Sequence, residues 1–181
     1  MKFLPALALL ATPILATPIL ATPALADVPT LNVLTYDSFT AEWGPGPAIA
    51  KGFEATCGCK VNYIAAGDGG AILSRLKMEG AQSEADVVVG LDTSLVEAAR
   101  ATGLFAEIAP QPNTLPVPFQ DANFQPFDWG WFAFVQMKSL ANPPHSFKEL
   151  AASDLKIVIE DPRSSTPGLG LVMWVKAAYG D

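Results

Sequence analysis

The most informative candidate chemistry lies late in the chain, in segment 163–168. Its sequence is Arg-Ser-Ser-Thr-Pro-Gly, and Pro167 suits the first position of a helix, which leaves Thr166 or Ser165 as the cap. Hydroxyls and free backbone N–H groups at a helix start form a neutral cradle for an anion such as phosphate. An ordinary capped helix explains the same residues, so the segment alone does not establish a site.

Three other loops follow predicted strands, at 36–38, 67–70 and 90–92. In an open parallel sheet, ligands bind where strands end and helices begin, because backbone N–H groups converge there. The first loop, Tyr-Asp-Ser, has unusual chemistry for a plain turn. Asp68 is a typical helix cap, and so are the residues 92–94, Asp-Thr-Ser, so residue type alone leaves a ligand role for Asp68 open.

Cysteine and histidine are too few for a metal centre or a familiar catalytic group. Cys57 and Cys59 flank Gly58, and His145 is the one histidine of the chain. Zinc needs more thiol or imidazole ligands than these, so we expect no metal. Whether the cysteines bond to each other stays open, since the ring would close over one intervening residue.

The elements that position these loops are three strand-turn-helix units. Hydrophobic period and turn residues predict strands at 31–36, 60–65 and 86–91, and helices at 48–56, 71–78 and 95–102. Segment 86–91 is a nearly continuous apolar run, which predicts a strand buried on both faces. Such alternation predicts an α/β domain with a mainly parallel sheet.

The rest of the chain predicts part of a second domain. Residues 106–126 indicate a loop, and the aromatic run 124–135 predicts a strand that leaves one domain and enters another, although a buried core strand fits equally well. A short helix capped by Ser146, a strand at 155–160 and an apolar helix through Tyr179 follow. We therefore divide the chain into domains at 27–127 and 128–181. Because no strand follows the last helix, we expect a truncated gene or a fragment.

Bulk composition and the first residues predict a secreted globular protein. Half of the 181 residues are hydrophobic and the formal charge is −7, with no basic block that would suit nucleic acid. Residues 1–26 combine Lys2, an apolar stretch and an Ala-Leu-Ala exit, which predicts a signal peptide cleaved after Ala26. Four prolines argue against a spanning helix. We expect no membrane insertion after cleavage.

Several of these stretches, in order, resemble the thiamine-binding periplasmic proteins of the ABC-transporter substrate-binding class. They are 35–39 (Thr-Tyr-Asp-Ser-Phe), 43–47 (Trp-Gly-Pro-Gly-Pro), 57–59 (Cys-Gly-Cys), 68–69, 86–92, 102–105, 126–128 and 161–170. The resemblance covers nearly all of the chain after residue 26. The combination of the first two stretches is much narrower than a generic glycine loop.

The resemblance implies a periplasmic-binding-protein-like, two-lobed fold of class II, with the first lobe nearly present but lacking its C-terminal return segment, and the second incomplete. It implies a monomeric periplasmic protein that binds thiamine, or its mono- and diphosphate, between the lobes and delivers it to a permease. It implies no cofactor and no enzymatic activity. By matching position, Asp68 and Gly69 of lobe one and Ser165 and Thr166 of lobe two would contact the ligand. Tyr36 would be an aromatic wall, and Trp43 is a weaker candidate.

Family members are longer and take further aromatic contacts from sequence with no counterpart here, so we expect weak or absent binding by this chain as it stands. Two alternatives remain. One is a binding protein for another small solute, although three tyrosines make iron a poor fit. The other is a thiamine-cleaving transferase, which would need Cys57 or Cys59 as an exposed thiolate beside a base.

Overall fold

The computed structural model describes residues 27–109, 111–112 and 114–180. The predicted signal peptide, 1–26, lies outside the described residues. Within the described ranges no helix combines the length and the apolar character needed to cross a membrane.

A three-stranded parallel sheet forms the centre of the N-terminal part. Its strands are β1 (Thr30–Thr35), β2 (Lys60–Ala65) and β3 (Val87–Val88), in the order β2-β1-β3. The register pairs Thr30 with Lys60 and Val33 with Val87. The predicted α/β class with a parallel sheet is confirmed.

The described residues form six α-helices, and a 3-10 turn, Gly80–Gln82, follows the third helix. They are α1 (Asp37–Thr40), α2 (Gly46–Cys57), α3 (Gly69–Glu79), α4 (Val96–Arg100), α5 (Phe147–Ala151) and α6 (Thr166–Tyr179). Helices α2 and α3 begin two residues before the predicted positions 48 and 71. Helix α4 is shorter than the predicted helix at 95–102. Gly58 caps the C-terminus of helix α2. Its positive φ of 64° is the left-handed conformation that glycine adopts most easily.

The core lies between β1 and α3. Leu34 on β1 packs with Ile72 and Leu76 on α3, and these three side chains are 1%, 0% and 3% exposed. Leu73 is also buried, so the apolar face predicted for this helix is confirmed. Burial of these side chains against the central strand holds α3 on the sheet and thereby fixes the position of its N-terminus.

The third strand departs from the prediction. Only Val87–Val88 is assigned as strand, although Asp86 N–H donates to Asn32 O and Val89 N–H to Leu34 O, both at 2.9 Å. Val87 is 40% exposed, so burial on both faces is wrong for this residue. The strand lies at the edge of the described sheet, and an apolar run is buried only where other elements cover it.

Two further predicted strands, 124–135 and 155–160, are not strands in the structure. Trp131, Val135 and Val158 are 79%, 96% and 99% exposed. A strand exists through hydrogen bonds to a neighbour, and the described residues provide neither segment with one. The apolar composition that suggested these strands carries no information about a partner. The domain division at 127/128 stays a prediction.

Helices α5 and α6 pack through aromatic rings. The ring of Phe147 lies 5.0 Å from that of Trp174 and 5.7 Å from that of Phe134, centroid to centroid. A Cβ on Gly170 would come within 2.4 Å of the Phe132 ring, so the absence of a side chain there admits the ring. Ser146 accepts a hydrogen bond from Glu149 N–H, which confirms the predicted cap of α5.

The question of the two cysteines is resolved, because Cys57 and Cys59 form a disulfide with an S–S distance of 2.02 Å. The bond follows the last turn of α2 and precedes β2. In the described ranges we find no group of three or more side chains that could hold a metal ion.

Leu34→Ala should lower the free energy of unfolding by about 2–5 kcal/mol, because it leaves a cavity between β1 and α3. Met78→Ala on α3 is the matched control, since Met78 is 82% exposed and should change stability by less than about 0.5 kcal/mol. Urea denaturation followed by circular dichroism measures both. Equal losses for the two variants would contradict this assignment of the core.

Replacing Cys57 and Cys59 by serine should cost at most about 2 kcal/mol, because a disulfide that closes so short a loop removes little entropy from the unfolded chain. Thermal denaturation of the variant beside the oxidised wild type tests this. Loss of cooperative unfolding in the variant would show that the bond is needed for the fold.

Candidate functional site

The candidate site lies at the carboxyl ends of the parallel strands. Tyr36 and Asp37 follow β1, and the turn before α3 follows β2. The two turns are joined directly: Asp37 N–H donates to Gly67 O at 2.8 Å, and Gly67 N–H donates to Asp37 Oδ1 at 2.9 Å. Because the strands run parallel, their following loops meet at one edge of the sheet.

Asp68 serves two helices at once. Its Oδ1 accepts a hydrogen bond from Gly69 N–H at 2.8 Å, which caps α3 as the sequence predicted. Its Oδ2 accepts from Thr166 N–H, at the start of α6, at 2.9 Å. Asp68 therefore links two loops that lie 98 residues apart in the chain.

Thr166 is held by a second carboxylate through its side chain. Its hydroxyl donates to Asp92 Oδ2 at 2.7 Å. The other oxygen of Asp92 accepts from the backbone N–H of Ser94 at 2.7 Å and from the Ser94 hydroxyl. Sequence reasoning gave Asp92 only a capping role. Its position in one of the four loops that follow predicted strands was the feature of the sequence that could have placed Asp92 near the site.

Ser165 is the N-cap of α6, which settles the choice between Ser165 and Thr166. Its Oγ accepts a hydrogen bond from Gly168 N–H at 3.3 Å and donates to Glu160 Oε2. The residue is buried, with 9% of its surface exposed. Its hydroxyl therefore makes two hydrogen bonds within the protein.

Gly69 allows the loops to touch. A Cβ at this position would lie 2.8 Å from Thr166 Oγ1 and 2.9 Å from Gly90 O, closer than real Cβ contacts allow. Gly70 is similarly placed, since its Cβ would lie 2.9 Å from Arg163 O. The glycine pair therefore permits the close approach between the loop before α3 and the loop before α6.

Tyr36 adjoins this group through Gly90. A Cβ on Gly90 would come within 2.3 Å of the Tyr36 ring, and Gly90 has a positive φ of 110°. The ring is half-buried and meets Phe39 edge-on, with centroids 5.4 Å apart. Burial raises the pKa of the Tyr36 hydroxyl above its ordinary 10.0, and the negative charges of Asp128 and Asp68 raise it further. Tyr36 thus lies in an acidic environment. Trp43, the weaker candidate, is 81% exposed.

The one positive side chain in segment 163–168 is already paired. Arg163 Nη2 lies 2.5 Å from Asp161 Oδ2, and this partner lowers the pKa of the Asp161 carboxyl to about 2. Acidic side chains dominate the surroundings, because Asp68 and Asp92 contact Thr166 and Glu160 contacts Ser165. These carboxylates favour a cationic group beside them.

The structure thus brings Asp68, Gly69, Ser165 and Thr166 together, with Tyr36 beside them across Gly90. Every polar side chain of this set except Tyr36 is engaged in hydrogen bonds within the protein. A ligand acceptor that bonds to Thr166 must replace one of these bonds, whereas the carboxylate of Asp68 can accept further hydrogen bonds. A surface depression along 140–145, 149 and 153–155 contains none of these residues.

Tyr36 should ionise above pH 10 in the folded protein. Subtracting the absorbance titration of Tyr36→Phe from that of the wild type isolates its curve. Asp128→Asn should move the midpoint back toward 10, whereas Asp154→Asn, an exposed carboxylate in another segment, should leave it in place. Because the folded-state pKa is the higher one, the associated stability is present below pH 10 and is lost as pH rises through the folded-state value. A midpoint at or below 10 would contradict the placement.

No protein-family model matches this chain. Curated relatives named thiamine-binding periplasmic protein match at 50% identity over 185 residues in Salmonella typhimurium, 51% over 158 in Escherichia coli and 43% over 155 in Haemophilus influenzae. These matches cover 99%, 84% and 83% of this chain, but 53%, 48% and 47% of the relatives. The chain thus spans about half the length of the curated relatives it matches.

A solved structure supports the same relationship. A protein titled periplasmic thiamin binding protein superposes with a TM-score of 0.81 at 51% identity, over 85% of this chain and 50% of that one. The predicted periplasmic-binding-protein-like fold class and the resemblance are therefore confirmed. The chain is a relative of the thiamine-binding periplasmic proteins, matching about half their length in sequence and in fold.

Proposed function

We propose that this chain carries part of the thiamine-binding site of an ABC-importer substrate-binding protein. The observation that carries the proposal is the fold match, at a TM-score of 0.81 and 51% identity, to a structure titled periplasmic thiamin binding protein. The strand-end site supports it, because Asp68, Gly69, Ser165 and Thr166, which the sequence resemblance assigned to the ligand, lie together.

The chemistry of the site suits the positively charged thiazolium ring of thiamine. Tyr36 offers an aromatic face, and the carboxylates of Asp68 and Asp128 are near enough to raise its pKa. A cation held against an aromatic ring with carboxylates nearby is stabilised by both the ring and the charges. We assign Tyr36 and Asp68 to the cationic part of the ligand.

Thiamine monophosphate and diphosphate are the finer part of the proposal. Their phosphate would bind at the start of α6, where backbone N–H groups and the helix dipole favour an anion. In the structure the Thr166 N–H already donates to the Asp68 carboxylate. A phosphate would therefore replace Asp68 as the acceptor, while Ser165 keeps its capping bond.

The relatives named thiamine-binding periplasmic protein support a proposal about localisation and partners. We propose secretion through the predicted leader at 1–26, a monomeric periplasmic form and delivery of the ligand to an importer permease. We also propose that 27–127 and 128–181 belong to two lobes that close on the ligand, as motion between lobes is the usual mechanism for such proteins.

The alternative of a thiamine-cleaving transferase is not supported by the position of the cysteines. Cys57 and Cys59 are bonded to each other, so neither offers a thiolate. They also precede β2, whereas the site follows it, and a strand of six residues separates the two ends by roughly 20 Å. We therefore propose binding without catalysis.

Calorimetric titration with thiamine tests the proposal. The chain alone should bind weakly, because it spans about half the length of its relatives, and a fusion that adds the remaining half of the Escherichia coli relative should bind tightly. Asp68→Ala in the fusion should weaken binding about tenfold or more, since losing a charged contact costs on the order of 1.5–3 kcal/mol.

Asp154→Ala is the matched control, because it removes an exposed carboxylate in another segment, and it should leave the affinity unchanged. Titrations with the two phosphates rank the ligands. If neither the chain nor the fusion binds thiamine or its phosphates, the ligand assignment is wrong. Tight binding by the chain alone would overturn the expectation of weak binding.

A further inference from the structure

Thr166 is the point where distant parts of the chain are tied together. Its backbone N–H donates to Asp68, 98 residues away, and its hydroxyl donates to Asp92, 74 residues away. Among the described residues these are the two side-chain hydrogen bonds with the largest sequence separations. Both join the loops of the parallel sheet to the start of α6.

Each carboxylate divides its two oxygens in the same way. Asp68 uses Oδ1 for Gly69 N–H in its own turn, and Asp92 uses Oδ1 for the N–H and hydroxyl of Ser94 in its own turn. In both residues the remaining Oδ2 points to Thr166. The local bonds orient the carboxylates before Thr166 arrives, so little side-chain entropy is lost when the distant bonds form.

We propose that Asp68 and Asp92 form a carboxylate clamp that holds Thr166, and hence the start of α6, against the strand-end loops before any ligand binds. Asp92 is then a positioning residue of the site, because it acts on the ligand through the hydroxyl of Thr166. The ligand part of this inference rests on the proposed function, whereas the clamp itself does not depend on it.

The packing around Thr166 supports a fixed position. A Cβ on Gly69 would lie 2.8 Å from Thr166 Oγ1, so the hydroxyl lies directly against the backbone of the facing loop. Threonine is also branched at Cβ, which restricts rotation about its first side-chain bond. The hydroxyl of Thr166 can therefore bond to Asp92 only while the start of α6 lies against the strand-end loops. Breaking this bond would loosen that contact.

The clamp also sets a condition on any ligand that reaches Thr166. Both hydrogen-bond donors of this residue are engaged by carboxylates, so a ligand acceptor that bonds to Thr166 must take the place of Asp68 or Asp92. Displacing Asp68 frees the N–H for an anion, whereas Asp92 keeps the hydroxyl in place meanwhile. We infer that Asp92 preserves the orientation of α6 during this exchange.

Amide hydrogen exchange on the chain as it stands, without ligand, tests the clamp. Asp92→Ala and Thr166→Val should each speed exchange at the start of α6 by about tenfold, the effect of losing one charge-assisted hydrogen bond. The double variant should exchange no faster than either single variant, because both remove the same bond. Thr166→Ser retains the hydroxyl and should exchange like the wild type.

Exchange in β1 and α2 should stay unchanged in all variants, which shows that the rest of the fold is intact. Unchanged exchange in Asp92→Ala, or effects of the two single variants that simply add, would overturn the clamp. If Asp92→Ala unfolds the chain, the comparison of Thr166→Val with Thr166→Ser still decides, since only the hydroxyl distinguishes their contacts with Asp92.

The positioning role has a separate measurement. In the fusion used above, Asp92→Ala should weaken thiamine binding about tenfold, whereas Asp154→Ala, the exposed control carboxylate, should leave it unchanged. Altered exchange together with unaltered thiamine affinity would overturn the positioning role. If the wild-type fusion binds neither thiamine nor its phosphates, the proposed function is wrong. The amide exchange data then test the clamp independently of any ligand.

Discussion

The parallel pairing of β1 between β2 and β3 determines where everything else lies. Because all three strands run in one direction, the loops that follow them meet at one end of the sheet, where Asp68 and Asp92 both bond to the start of α6. The buried contact of Leu34 with α3 fixes the sheet and the helix relative to each other. If that contact were lost, Asp68 would lose its position at the N-terminus of α3, and with it the bond to Thr166.

The carboxylates of Asp68 and Asp92 each bond to their own turn and to the start of α6. A helix cap normally satisfies a local N–H, and Asp68 does so for α3. The same side chain also satisfies an N–H at the start of α6, which would otherwise face solvent or a ligand. The fold thus builds this end of the sheet from residues that are also structural, so residue type alone does not separate a capping role from the proposed role in binding.

The sequence carried most of the local structure and little of the long-range pairing. Caps at Asp68 and Ser146, the apolar face of α3 and the strand-end loops were predictable, because each depends on residues within a few positions of one another. The bond between Asp92 and Thr166 was not predictable, because the two residues lie 74 positions apart and neither local sequence identifies its partner. The strands predicted at 124–135 and 155–160 were wrong for a related reason. Apolar and aromatic residues indicate surface that can be buried, whereas a strand also needs a neighbouring segment to accept and donate its backbone hydrogen bonds.

Those two segments have a consequence for the behaviour of the chain in solution. Extended backbone with exposed apolar side chains, such as Trp131, Val135 and Val158, is a template on which another strand can add, and natural proteins usually cover or charge such edges to prevent aggregation. In the N-terminal part the central strand β1 is paired on both sides, so intramolecular contacts satisfy its backbone. In the later part the exposed apolar segments favour pairing between molecules, which increases with concentration. The solubility of this chain and the stability of its sheet therefore depend on different parts of the sequence.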